Sequence, residues 1–303
     1  MGKQPRALIT GIDGFTGRYV QTELITAGWE VFGTGIQDFP KDDHYLRADL
    51  NDLADLNAAV REVGPDVVVH LAGIAYVGHG DASAFYQIHL LGTRNLLMAL
   101  DKAGKKPRCV LLASSANVYG NTTEGILTEA TPLNPANDYA VSKLAMEYMA
   151  RLWLDKLPII IVRPFNYTGA GQSGSFLLPK IVAHFYHRAE VIELGNLDVW
   201  RDFSDVRAVA QAYRRLLENC PAGETVNICS GHTHSLREVI AMAELITGHK
   251  IRLEVNSEFV RSNEVKMLCG DPSKLRRLIG EWETPHLEQT LRWMLREAGT
   301  GLH

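Results

Sequence analysis

Apolar residues along the first 165 positions alternate between two spacings. Short runs rich in aliphatic and β-branched residues, at 6–10, 30–34, 44–48, 66–71, 109–113 and 158–162, read as strands. Between them apolar residues recur at helical spacing. Phe15, Tyr19, Val20, Leu24, Ile25 and Ala27 mark a helix, and 52–63, 84–103 and 138–154 mark three more. Strand and helix in strict alternation predict an α/β fold with a parallel sheet and helices on both faces. Right-handed crossovers make such a sheet doubly wound. Past Pro164 the pattern loosens. Residues 166–174 read as a polar, glycine-rich loop, 176–188, 205–218 and 235–247 as helices, and 225–229 and 250–255 as strands. Residues 273–279 open the last helical region. The expected division is a sheet domain over 1–165, with returning segments near 196–230, and a smaller interleaved lobe over 166–195 and 231–303.

Composition narrows the class. Of 303 residues 46% are hydrophobic and 22% charged, the balance of a globular protein. A net charge of -4 gives no reason to expect nucleic acid or an anionic membrane as partner. No apolar run reaches the roughly 20 residues that span a bilayer, and with a strand predicted from Arg6 no signal peptide is expected. The four cysteines are scattered, so reduced thiols and a cytoplasmic location are expected. His184 with His187, and His232 with His234, lack further ligands at metal spacing, so no metal is expected.

Ligands of doubly wound sheets bind beyond the carboxyl ends of the strands. Gly11, Gly73, Ser114 and Arg163 all follow predicted strands and should gather there. The first turn, Gly11-Ile12-Asp13-Gly14-Phe15-Thr16-Gly17, leads from strand to helix. Gly11 permits the tight turn, Gly14 lets a pyrophosphate approach the backbone, and Gly17 lets the helix pack closely on the sheet. The free amides of the helix start, at Phe15 and Thr16, attract phosphate. Glycines at this spacing also occur in ordinary loops; the flanking strand and helix point to a dinucleotide.

Tyr139 and Lys143 are four residues apart on a predicted helix and share a face. A phenol titrates near pH 10, and a neighbouring ammonium favours its ionised form. Lowering its pKa by about 3 units takes roughly 4 kcal/mol. Such a tyrosine can pass a proton to a sugar oxygen. Lys143 can also hold ribose hydroxyls, and Ser115 can give the reacting oxygen a second hydrogen bond. A Tyr/Lys pair alone is commonly just a helix surface; the glycine turn and Ser114-Ser115 at the end of strand five give it context.

These stretches resemble the extended short-chain dehydrogenase/reductases, in the nucleotide-sugar branch. The likeness runs through the glycine turn, Leu71-Ala72-Gly73, Ser114 to Gly120, Tyr139 to Lys143, Arg163-Pro164-Phe165-Asn166, Arg201-Asp202-Phe203 and Asn227 to Gly231. It is closest to the group holding GDP-mannose 4,6-dehydratase and GDP-4-keto-6-deoxy-mannose reductase. The resemblance implies a Rossmann fold that binds NAD or NADP. The coenzyme contacts it implies are Gly11 to Gly17, Asp49-Leu50, Leu71 to Gly73, Ser114, Tyr139 and Lys143, with Ser115, Tyr139 and Lys143 catalytic. For the nucleotide sugar it implies Asn117, Asn166, Lys180, Asn196, Arg201, Arg261 and Glu264. Dehydratases carry an acid where this chain has Asn117, and an amide is no general base. That favours a reductase forming GDP-D-rhamnose, with a 4-epimerase as the alternative. A non-catalytic coenzyme sensor would have lost Tyr139 or Lys143, and both are present. Strand two ends in Thr34-Gly35-Ile36-Gln37 with no charge to select a coenzyme, and the reductive step favours NADPH. His89 stands where the family often has Asn. The helices 84–103 and 138–154 are expected to pair in a homodimer across a four-helix bundle.

Overall fold

The computed structural model describes residues 4–38, 42–75, 80–120, 125–256 and 266–300. Seven strands form one parallel sheet: β1 (Arg6–Thr10), β2 (Glu30–Gly35), β3 (Tyr45–Arg47), β4 (Val67–His70), β5 (Cys109–Ala113), β7 (Ile159–Pro164) and β11 (Thr225–Ile228). Their order is β11-β7-β5-β4-β1-β2-β3. Successive side chains enter opposite cores. In β4, Val67 and Val69 join one cluster while Val68 joins the other. In β5, Cys109 and Leu111 alternate in the same way with Val110 and Leu112. Helices α1 (Phe15–Thr26) and α7 (Val206–Asn219) cover the first face. The second is covered by α2 (Leu53–Val63), α4 (Thr93–Lys102) and α5 (Asp138–Arg151).

The helix expected over 84–103 is interrupted. A short α3 (Ala82–Phe85) leads into a π-helical turn, Tyr86–Gly92, before α4. The turn buries His89, and the Thr93 hydroxyl donates to the His89 carbonyl at 2.6 Å. Such widened turns recur at functional sites.

The smaller lobe holds β6 (Ile126–Leu127), β8 (Asn166–Thr168), β9 (Val191–Leu194), β10 (Trp200–Asp205), β12 (Thr233–Ser235), β13 (Arg252–Val255) and β14 (Met267–Gly270). The loop expected from 166 begins as a strand, because Asn166, Tyr167 and Thr168 pair with Phe203, Ser204 and Asp205 of β10. Helices α6 (Leu177–Tyr186), α8 (Leu236–Thr247) and α10 (Leu287–Glu297) bury Phe185, Val239 and Leu291 in the lobe's own core. The last helical region divides. Leu275 and Ile279 of α9 (Ser273–Ile279) pack in the sheet-side core, beside α7. Among the described residues no helix is long and apolar enough to cross a membrane.

Candidate active site

Gly11 takes a φ of 71°, and a Cβ there would stand 2.8 Å from the Ala72 Cα. A Cβ on Gly17 would collide with the Gly11 carbonyl oxygen and reach within 2.6 Å of the Ile12 carbonyl oxygen. Both glycines are therefore imposed by contact between the turn, its helix and the end of β4. Helix α1 starts on Gly14, which has no side chain to satisfy the first-turn amides. This cradle fits a pyrophosphate.

Asn137 caps α5, accepting the Ala140 amide at 2.9 Å. The buried face of α5 carries Tyr139, Ser142, Lys143 and Glu147, an unusually polar set for a helix packed on a sheet. Ser115, at the end of β5, accepts the Asn117 amide at 3.1 Å and hydrogen-bonds Tyr139. Lys143 Nζ donates to the Ala113 carbonyl at 2.8 Å. A Cβ on Gly73 would lie 3.7 Å from the same nitrogen. Ser115, Tyr139, Lys143 and the turns after β1 and β4 thus converge beyond the carboxyl ends of β1, β4 and β5.

Burial pushes the Tyr139 hydroxyl up to about 12, against the downward pull of its bond with Ser115. Its titration is not drawn down toward neutral pH, contrary to the sequence expectation. Tyr139 stays protonated at neutral pH, the form that a proton donor needs. Burial brings Lys143 down to about 8, with Glu147 acting upward.

Other predicted residues have defined places. Phe15 stacks on Tyr167 with ring centroids 6.3 Å apart, and the Thr16 and Tyr167 hydroxyls meet at 2.8 Å. Asp49 accepts the Asn51 amide at 2.8 Å, while Leu50 is buried against Gly92. Leu71 and Ala72 are half-buried. The Ser114 hydroxyl donates to Glu147 at 2.6 Å, and its amide donates to the Val162 carbonyl at 2.8 Å. Asn117 is half-buried and Asn166 exposed. Arg201 lies on β10 opposite His234 of β12. Lys180 Nζ donates to the Glu193 carbonyl at 2.7 Å, and the Asn196 side chain accepts the Asp198 amide at 3.0 Å in a local turn. Arg261 and Glu264 lie outside the described residues.

A family model for GDP-mannose 4,6 dehydratase matches residues 8–294. The chain belongs to that family. It is an NAD(P)-dependent enzyme of the nucleotide-sugar class. It is 34% identical over 306 residues to GDP-6-deoxy-D-mannose reductase of Pseudomonas aeruginosa, covering 96% of each chain. It is 33% identical over 278 residues to GDP-6-deoxy-D-talose 4-dehydrogenase of Aggregatibacter actinomycetemcomitans, covering 91% of each. Among solved structures, a Burkholderia cenocepacia chain provisionally described as an epimerase superposes with TM-score 0.92 at 51% identity, over 97% of this chain and 98% of that one. RMD from Pseudomonas aeruginosa complexed with NADPH superposes with TM-score 0.86 at 32% identity, over 98% and 100%.

Within this dehydratase-family site, several residues went unread in the sequence. Tyr167 is one; the strand that presents it is only three residues long. Arg47 is another. It lies beside Gly35 in the β2–β3 register, its Nε 3.3 Å from an Asp38 carboxylate oxygen, so a guanidinium does stand at the end of β2. Two histidines form a buried polar chain. His70 Nδ1 meets the Thr10 hydroxyl at 2.7 Å and its Nε2 meets Thr93 at 2.8 Å. His89 Nε2 accepts the Ile74 amide at 3.1 Å, so Nδ1 carries the hydrogen and donates to Ser142 Oγ at 2.9 Å. His89, standing where the family often has Asn, thereby ties the turn after Gly73 to α5.

Burial lowers His70 to about 3 and His89 to about 2. Between the ordinary histidine value and these, the unfolded chain binds protons that the native protein refuses, so stability falls as pH falls. Each histidine contributes about 1.4 kcal/mol per pH unit below roughly 6.5. Urea midpoints should therefore drop steeply from pH 6 to pH 4, and His89→Gln should remove about half of the histidine share. An unchanged slope in that variant would count against the buried neutral ring.

Proposed function

We propose that the protein is an NADPH-dependent reductase of a GDP-linked 4-keto-6-deoxy sugar. The observation that carries this reading is a buried Tyr139 hydrogen-bonded to Ser115 and one helical turn from Lys143, with an amide at Asn117 where elimination needs a carboxylate. When bound, the coenzyme supplies the hydride that reduces C4. Tyr139 gives its proton to the C4 oxygen as charge develops there, and the Ser115 hydroxyl donates to the same oxygen. The Lys143 ammonium stabilises the phenolate left behind. Arg201 holds the diphosphate, since a guanidinium matches phosphate oxygens in pairs. Asn117 cannot take the C5 proton, so GDP-mannose itself should not be dehydrated.

The two curated relatives are named for 6-deoxy-mannose and 6-deoxy-talose, which differ only at C4. We take the mannose configuration, hence GDP-D-rhamnose, as the product. The chain at 51% identity favours a second reading, a 4-epimerase. An epimerase returns its hydride and consumes no reduced coenzyme. Incubation with GDP-4-keto-6-deoxy-mannose and NADPH should give stoichiometric loss of nicotinamide absorbance. Tyr139→Phe should slow this by about a hundredfold or more while coenzyme affinity holds. Turnover without coenzyme loss, or full rate in that variant, overturns the reading.

Arg47 and the NADPH complex of a structural relative support the phosphorylated coenzyme. Arg47→Ala should raise the KM for NADPH about tenfold and leave that for NADH nearly unchanged, as steady-state rates with each coenzyme will show. Equal effects on both would remove Arg47 from the selection.

We further propose a cytoplasmic homodimer paired through the π turn, α4 and α5. Leu91 on the turn, Tyr148 on α5 and Leu152 just past it are exposed apolar side chains, 44%, 57% and 78% accessible. Sedimentation should give twice the chain mass, and Leu152→Asp should shift it toward one. A monomer at micromolar concentration would end the proposal.

A further inference from the structure

Glu147 and Arg163 form a bidentate ion pair with side chains 0% and 2% exposed, under the site but out of reach of a ligand in the crevice. Exchanging a buried pair for well-packed apolar residues is commonly neutral or stabilising, so stability alone gives little reason for it. Its connections suggest another. Glu147 Oε1 accepts Ser114 Oγ at 2.6 Å and Arg163 Nε at 2.9 Å, and Oε2 accepts Arg163 Nη2 at 2.6 Å. Arg163 Nη1 donates to the Tyr119 hydroxyl at 3.0 Å, and Tyr119 donates to Asn227 at 2.7 Å. Ser114 immediately precedes Ser115, and Tyr119 closes the turn Ala116–Tyr119 that carries Asn117. On α5, Glu147 follows Lys143 by four residues and Tyr139 by eight, one shared face.

We infer that the Glu147–Arg163 pair is a positioning device for the reductase site: through Ser114 it sets Ser115 against Tyr139, and from one helical turn away it supplies the negative charge opposite Lys143. Two links are separable. The Ser114 bond fixes geometry. The carboxylate acts on charge, since Lys143 is faced by Tyr139 and Glu147 on its own helix and by the neutral rings of His70 and His89. Of these, Glu147 carries the formal negative charge.

The inference rests on the reductase reading, so its test includes a measurement that needs no sugar. Protein labelled with carbon-13 lysine is titrated by NMR, with Lys143 assigned by Lys143→Met. Glu147→Gln should lower the Lys143 midpoint by about one unit. Because that variant strands a buried guanidinium, Glu147→Gln/Arg163→Met is measured beside it and should shift the midpoint in the same direction, by less. Ser114→Ala should leave the midpoint in place yet lower kcat about tenfold at unchanged coenzyme affinity. An unmoved midpoint in both Glu147 variants overturns the charge link, and full kcat in Ser114→Ala overturns the geometric one. Absent turnover in the wild type would end the reductase reading while leaving the titration to judge the pair.

Discussion

An ammonium group removed from water must find partners or lose its proton. Lys143 is that group here. It sits on the buried face of α5, donating to the Ala113 carbonyl at the end of β5, with a carboxylate one turn behind it. Helix and strand are thereby held in one register, and Tyr139 and Ser115 meet as a result. The Gly73 turn and His89 close the same space from the other side. Moving α5 by one turn would leave the ammonium without its carbonyl and the phenol without its serine.

Much of this was legible in the chain. The strand and helix alternation of the first half appears as expected because each strand carries two apolar faces, as in Val67, Val68 and Val69. The nearness of Tyr139 and Lys143 was legible because helical spacing puts them on one face. What stayed hidden depends on distant contact. Tyr167 sits in a strand too short to show a period, and Arg47 is at the end of β2 only because β3 lies alongside it. The π turn has no apolar period of its own, and the bond from Ser114 to Glu147 joins residues 33 apart in the chain. The phenol's acidity was misjudged for the same reason: sequence shows the neighbouring charge but not the depth of burial.

The halves of the chain meet through aromatic rings. Phe15, at the coenzyme helix start, lies flat against Tyr167 and edge-on to Tyr19. Tyr19 meets Trp293 of α10 edge-on, and the Arg207 guanidinium covers that indole at 3.7 Å. Tyr19 also donates to the Ala170 carbonyl at 2.7 Å. The glycine turn after β1 and the segment following Asn166 are therefore braced on each other.

The order β11-β7-β5 carries one more implication. The outer neighbour of β7 is residues 225–228, made only after the whole stretch 165–224. Until then β7 presents a bare row of amides and carbonyls, the kind of border along which chains aggregate. Residues 1–165 therefore do not complete the sheet by themselves: cut there, the chain would leave β7 without its outer neighbour.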